Sequence, residues 1–297
     1  MGEGRAIGID LGGTNLKLGL YSETGSCLGK LMVPTPQPAS PEAVTSAMVA
    51  AIEQLDPDRQ ATVLGVGTPG PTDVSGRVAL VAINLAGWQD VTLADWLEAR
   101  TGRRVVLAND ANCAGLGEAW LGAGREFQDL IVLTLGTGVG GAIILNGQLF
   151  SGHRGAAGEL GLIALYPQGH PCNSGNQGSL EQYCSIGAIR RRTGSDPKDL
   201  SVLARQGDAT ALAHWQAIGS DLGIGLSSLI YVLTPQAVLL GGGVSAGFEF
   251  FQAAMQAEIE RRVLPSSRTG LVIRPAALGN EAGTIGAARL AFQHLVR

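Results

Sequence analysis

The sequence predicts a two-lobed α/β protein, and three observations predict it. The chain has 297 residues, long for one compact domain of roughly 100–200 residues. Strand-like alternation and helix-like spacing follow one another along it. It also carries a weak internal repeat. Ile7-Gly8-Ile9-Asp10-Leu11-Gly12-Gly13-Thr14 can be laid on Ile131-Val132-Leu133-Thr134-Leu135-Gly136-Thr137-Gly138. Each is a strand, a glycine turn and a second strand, one in each half of the chain. This pattern suggests duplication, with a nucleotide held in the cleft between two lobes; a chance likeness of two glycine-rich hairpins is the alternative.

The elements read in order as follows. Ala6–Ile9 is an apolar strand, and Leu16–Leu20 alternates inward and outward beyond the turn. Thr35–Ser40, with three prolines, is a loop, and Ser40 is placed to cap a helix over Pro41–Leu55. Val63–Val66 is a strand broken by Thr68-Pro69-Gly70-Pro71. A helix over Leu93–Thr101 stops at Gly102, and the strand Val105–Leu107 points at Asn109-Asp110, which open a helix over Ala111–Leu121. Leu130–Leu135 and Ala142–Leu145 flank the second glycine turn. The final third is helical apart from strands at Ala237–Leu240 and Leu271–Ile273.

Composition narrows the class. With 45% hydrophobic and 15% charged residues the chain can bury a large core, which excludes extended disorder. Lys and Arg total 21 against 25 Asp and Glu, a net charge of −4, so there is no basic footprint for nucleic acid. The four cysteines are scattered without a CxxC pair, the usage of reduced intracellular thiols. No signal-peptide core or lipidation box is present. Leu222–Phe248 is uncharged but interrupted by Thr234-Pro235-Gln236 and Gly241-Gly242-Gly243. It reads as a buried helix to Leu233, a Pro stop and a short core strand, not a span of about 20 apolar residues. A cytoplasmic protein with no membrane partner is expected.

The 44 glycines are roughly twice ordinary usage and mark turns and close backbone approaches. Gly136-x-Gly138-x-x-Gly141 matches a dinucleotide fingerprint literally, but that motif must open a helix, and a strand follows here. No GxxxxGK[ST] loop occurs. Two glycine hairpins together make backbone nests suited to a triphosphate; either one alone reads equally as a tight turn. Asp110, after an apolar strand, reads from its neighbours as a helix cap or as a carboxylate projecting into a cleft.

Asp10-Leu11-Gly12-Gly13-Thr14-Asn15 resembles the first phosphate motif of the sugar kinase, actin and heat-shock ATPase superfamily. Within it the chain resembles the ROK family (repressors, open reading frames, kinases), and most of all its bacterial glucokinases. The likeness runs nearly end to end. Gly65-Val66-Gly67-Thr68-Pro69-Gly70-Pro71 and Asn84-Leu85-x-Gly87-Trp88 match its sugar segments. Asn109-Asp110-Ala111-Asn112, Leu135–Gly141 and Gly158-Glu159-Leu160-Gly161 match its centre. Leu240-Gly241-Gly242-Gly243-Val244-Ser245 resembles its adenosine segment, and Leu278-Gly279-Asn280-Glu281-Ala282-Gly283 its second interdomain connection.

The resemblance implies a two-lobed ribonuclease H-like (actin-like ATPase) fold with an interdomain cleft. The lobes expected are residues 1–109, with a C-terminal helix over 284–297 packing back on them, and residues 110–283. It implies an ATP- and Mg²⁺-dependent hexose kinase acting on the 6-hydroxyl of glucose, with Asp110 as general base. Asn84, Asn109, Glu159 and Glu181 would bind the sugar together with Asp110. Asp10, Gly12, Gly13, Thr14, Asn15, Lys17, Gly136, Thr137, Gly138, Gly241, Gly242 and Gly243 would serve the nucleotide, Asp10 orienting Mg²⁺ through water. Trp88 would pack in the core or stack on the sugar. A homodimer is the family expectation.

One segment departs from the pattern. Zinc-bearing members have a His where this chain has Leu162, then a Cys-x-Cys-Gly-x-x-Gly-Cys-x-Glu cluster that here reads Cys172-Asn173-Ser174-Gly175-Asn176-Gln177-Gly178-Ser179-Leu180-Glu181. One of three thiols remains, and structural zinc takes four N or S ligands, so no zinc is expected and strict glucose specificity is weakened. Rival readings are fructokinase, mannokinase, N-acetylhexosamine kinase, polyphosphate as donor, and a sugar sensor without a DNA-binding domain. A repressor would need a helix-turn-helix before the first strand, for which no room is expected.

Overall fold

A computed structural model of the chain describes residues 4–82, 85 and 87–295. The chain forms two compact units, Met1–Glu126 with Ala142–Gly158 and Leu278–Arg297, and Phe127–Gly141 with Glu159–Ala277.

In chain order the first part comprises β1 (Arg5–Leu11), β2 (Asn15–Ser22), β3 (Cys27–Pro34), α1 (Pro41–Leu55), β4 (Val63–Thr68), β5 (Ala79–Val81), β6 (Gln89–Val91), α2 (Leu93–Thr101), β7 (Arg104–Asn109) and α3 (Asp110–Trp120). Then follow β8 (Leu130–Leu135), β9 (Val139–Leu145), β10 (Gln148–Leu149), α4 (Glu181–Cys184), α5 (Ile186–Thr193), α6 (Pro197–Arg205) and α7 (Ala209–Leu233). β11 (Ala237–Gly241), α8 (Phe248–Arg262), α9 (Pro265–Arg268), β12 (Val272–Pro275) and α10 (Ala282–Leu295) complete the chain.

The repeat seen in the sequence is a repeat of topology. One five-stranded sheet has the order β3-β2-β1-β4-β7 and the other β10-β9-β8-β11-β12. In both, the first strand of the glycine hairpin lies centrally, beside its hairpin partner and parallel to the fourth strand. All six residues of β4 are buried, as a strand covered on both faces requires.

Local signals set the helix ends. The Ser40 side chain accepts from Ala43 N at the start of α1, with Pro41 at the first helical position. α2 stops at Gly102, whose φ of 66° is the left-handed conformation that glycine adopts without strain. α7 is the described helix long and apolar enough to cross a membrane by length and composition. It is a core helix nonetheless, since backbone-close contact with α8 fills its glycines: a Cβ on Gly219 would stand 2.3 Å from Phe251 O, and one on Gly223 2.5 Å from Met255 O. It ends at Thr234, before Pro235 and β11.

Two of the differences from the sequence reading bear on the site. β9 begins at Val139 rather than Ala142, because a short turn suffices once the strands pair. The cap of α3 is Asn109, not Asp110, and the helix begins one residue early.

Within the first unit α10 lies directly on the sheet and on α3. A Cβ on Gly8 would stand 1.8 Å from Thr284 O, one on Gly65 1.8 Å from Ala287 O, and one on Gly286 1.6 Å from Cys113 O. No side chain fits there, so these glycines set the helix-to-sheet distance. By this packing α3 belongs with the first unit instead of opening the second. At the C-terminal end of α1, Arg103 and Asp56 form an ion pair at 3.2 Å with side chains 3% and 1% exposed.

Candidate active site

In the first unit the candidate residues gather at the carboxyl ends of the parallel strands β1, β4 and β7, where open α/β sheets bind ligands. Asp10 pairs in register with Gly67 of β4, and Gly67 with Ala108 of β7. Asp10 and the Asn109-Asp110 pair thus stand about two strand spacings, roughly 10 Å, apart.

Asp10 faces Lys17 across the hairpin, with Nζ 3.1 Å from Oδ2. The turn between them is closed by Gly12 N donating to Asn15 O at 3.0 Å. It is tied to the next loop by Thr35 N to Thr14 O at 2.9 Å, Thr35 Oγ1 to Gly12 O at 2.6 Å and Gln37 Nε2 to Gly13 O at 3.2 Å. Nothing among the described residues lies within 4 Å of where a Cβ on Gly13 would stand, so that face of the turn is open. On its other side Asp10 meets α10, where a Cβ on Gly283 would be 3.1 Å from its Cγ.

Asn109 caps α3: its Oδ1 accepts from Ala111 N at 2.9 Å and Asn112 N at 3.2 Å, while Nδ2 donates to Gly70 O at 3.3 Å. Its acceptor is therefore engaged, and what it can offer a ligand is an N–H donor. Asp110 occupies the first helical position, its Oδ1 accepting from Ala111 N at 2.7 Å. Behind it sits Cys113, wholly buried, whose thiol pKa is pushed well up by burial and then by the charges of Asp10 and Asp110. The two carboxylates, a hundred residues apart in sequence, thus both lie near enough to one thiol for their charges to act on it. Gly67 leaves the room for this, since a Cβ there would stand 3.3 Å from Cys113 Sγ and 3.5 Å from Asp110 Cα. Asn84 lies outside the described residues. Trp88 is a core residue, 3% exposed, its Nε1 donating to Ala39 O at 2.8 Å.

In the second unit the glycine turn after β8 is closed by Gly136 N donating to Gly138 O at 2.9 Å. Glu181 reaches it directly: its Oε2 accepts from Val139 N at 3.0 Å. A Cβ on Gly138 would stand 2.5 Å from the same oxygen, so a side chain there would have to push the Glu181 carboxylate aside. Glu159 follows the Gly158 turn, and its carboxyl pKa is raised by burial and, less, by the neighbouring Glu181 charge. Gly241-Gly242-Gly243 closes the carboxyl end of β11. Gly242 has φ 84°, and its Cβ would stand 2.4 Å from Leu135 O.

The segment bearing the degenerate zinc pattern is held by ordinary side chains. Tyr166 donates to Asp221 Oδ1 at 2.7 Å, and Arg192 pairs with Asp221 Oδ2 at 2.5 Å. Tyr183 packs edge-on to Tyr166 at 4.7 Å. Cys172 is met by Ser174 Oγ at 3.3 Å, and Cys184 is wholly buried. Among the described residues no group of three or more His, Cys, Asp or Glu is arranged to hold a metal ion.

Sequence reasoning missed Gly283 as the neighbour of Asp10, Cys113 within reach of both carboxylate charges, and the hold of Glu181 on the glycine turn. The Asp10–Gly283, Asp10–Cys113 and Glu181–Gly138 approaches span long sequence separation, for which spacing carries no signal; Asp110 and Cys113 are only three positions apart on α3.

Residues 6–294 match the ROK family. The glucokinase of Thermotoga maritima is 34% identical over 306 residues, covering 96% of each chain. The crystal structure of a ROK hexokinase from Thermus thermophilus superposes with a TM-score of 0.89 at 35% identity, over 98% of this chain and 99% of that one. A ROK glucokinase from Streptomyces griseus, in complex with glucose and AMPPNP, does so at 0.80 and 34%, over 98% and 100%. With the repeated five-stranded sheets and the glycine turns at their strand ends, these likenesses settle the ancestry: the chain belongs to the ROK family.

Proposed function

We propose that the chain is an ATP-dependent hexose kinase that phosphorylates the 6-hydroxyl of glucose, with Asp110 as general base. The observation that carries the reading is the position of Asp110, an exposed carboxylate at the start of α3 on the same strand-end edge as Asp10 and its open glycine turn. The glucose and AMPPNP held by the Streptomyces griseus relative support this substrate and donor. In the reaction the 6-oxygen attacks the γ-phosphorus, the bond to the ADP oxygen breaks, and the hydroxyl proton passes to Asp110. Such chemistry asks the protein mainly for positioning and charge stabilisation.

Asn109 offers an N–H to a sugar oxygen, and Glu159 and Glu181 offer acceptors to hydroxyls. The glycine turns at 12–15, 136–138 and 241–243 would supply backbone to the nucleotide. Asp10, an oxygen donor beside an open turn, suits Mg²⁺ held through water, and when bound that ion neutralises phosphate charge. Lys17 holds the Asp10 carboxylate in place. Zinc has no part in this reading, and a homodimer belongs to it.

Turnover measured with glucose, mannose, glucosamine, N-acetylmannosamine and fructose, each with ATP and with polyphosphate, tests it. Glucose with ATP should give the highest kcat/KM. Because Leu162 stands where zinc-bearing relatives have a His, mannose or glucosamine should also turn over. Fructose or an N-acetyl sugar exceeding glucose tenfold would overturn the glucose assignment, and absence of any phosphorylated hexose would overturn the kinase.

A further inference from the structure

The second unit contains an acidic side chain placed on the backbone that its glycine turn would offer to phosphate. Glu181 Oε2 lies 3.0 Å from Val139 N and fills the space above Gly138. The same short segment grips the turn from its other side, Ile186 N donating to Gly136 O at 2.8 Å. Of the turn's amides, Gly136 N is bonded to Gly138 O and Val139 N to Glu181. Glu159 lies near enough for the Glu181 charge to raise its carboxyl pKa. Phosphate entering the turn would therefore meet both an amide already engaged and a negative charge beside it.

We infer that Glu181 is an internal anion that occupies the phosphate turn until a sugar hydroxyl engages it, so that hexose binding frees the Val139 amide for the nucleotide. The inference rests on the kinase reading above. Successive backbone N–H groups at a turn form an anion site, and a carboxylate accepting one of them makes a charge-assisted bond. A phosphate oxygen must displace that bond against the repulsion of two negative charges at close range. A sugar hydroxyl donating to Glu181 gives the carboxylate a new partner, and its departure from the turn leaves the Val139 amide open to a phosphate oxygen. Coupling of this kind is reciprocal, so nucleotide at the turn also favours sugar at Glu181. Hydrolysis of ATP without sugar is thereby suppressed.

A carboxylate that only shapes the turn predicts the opposite sign on removal, which makes the test decisive. Binding of AMP-PNP with Mg²⁺ to the full chain is measured by calorimetry, with and without saturating glucose, for wild type, Glu181→Gln and Glu181→Ala. Glucose should tighten wild-type binding about tenfold, within the usual range of site couplings. Without sugar, Glu181→Ala should bind the nucleotide about as tightly as wild type does with glucose, and glucose should then add less than a factor of about two. Glu181→Gln, which keeps an acceptor but loses the charge, should show part of that gain. If the chain phosphorylates glucose yet both variants bind nucleotide without sugar no better than wild type, the inference is overturned and the kinase stands. A wild-type chain that binds no nucleotide in either condition overturns both.

Discussion

Asn109 caps the helix that Asp110 begins. Its Oδ1 takes the amides of Ala111 and Asn112 at 2.9 and 3.2 Å, and the neighbouring carboxylate stands at the first helical position. Capping, one of the two roles the sequence left open for Asp110, falls to its neighbour, and the chemistry proposed above is assigned to Asp110. Asp110→Asn should therefore leave the helix intact and lower kcat by about 10²–10⁴, the usual worth of a positioned general base. Retention of more than a third of wild-type turnover, with chemistry limiting, would remove Asp110 from that role. Asn109→Ala should instead lower stability by about 1 kcal/mol, as loss of a cap does, measured by urea unfolding.

Gly65→Ala probes the contact between α10 and the sheet. Its Cβ would meet Ala287 O at 1.8 Å, so the helix must shift or the strand bend. A loss of about 3 kcal/mol is expected, at the upper end of overpacking costs. Because Gly283 of the same helix abuts Asp10, the KM for ATP should rise as well. A variant as stable as wild type would show that the helix has slack.

Arg103 and Asp56 should respond differently to single and paired replacement. The pair is fully enclosed, and Arg103 Nε and Nη1 have no hydrogen-bond partner among the described residues. Arg103→Ala leaves the buried Asp56 charge only the amides of Gln60 and Ala61, at 2.9 Å each, and should cost about 3–5 kcal/mol. Replacing Arg103 by an apolar side chain together with Asp56→Asn, which removes the charge and keeps an acceptor, should cost less. Chemical denaturation of the single and double variants separates the two outcomes.

Glu159 has a raised carboxyl pKa, from burial first and Glu181 second. The folded chain thus holds this proton more tightly than the unfolded chain. Stability is lost as pH rises from the ordinary carboxylate value through the raised one, and below both there is no effect. Glu159→Gln should accordingly have a higher Tm than wild type at pH 7.5, with the difference shrinking toward pH 4. A difference that grows on acidification would reverse the assigned direction.

Much of this protein is determined within short stretches of its sequence. Ser40 and Pro41 start α1, Gly102 stops α2, and Thr234-Pro235 separates α7 from β11. The two glycine hairpins announce two sheets of one topology. Each of these depends on hydrogen bonds and steric limits among residues a few positions apart, which spacing records. The tertiary structure alone decided that Asp10 comes near enough to act on the Cys113 thiol, that Gly8 and Gly65 admit the backbone of α10, and that Glu181 lies on the turn at Gly138. Those contacts join residues 40 to more than 270 positions apart. They arise because packing distant elements together, for α10 at a distance set by missing side chains, brings together groups that no local periodicity relates.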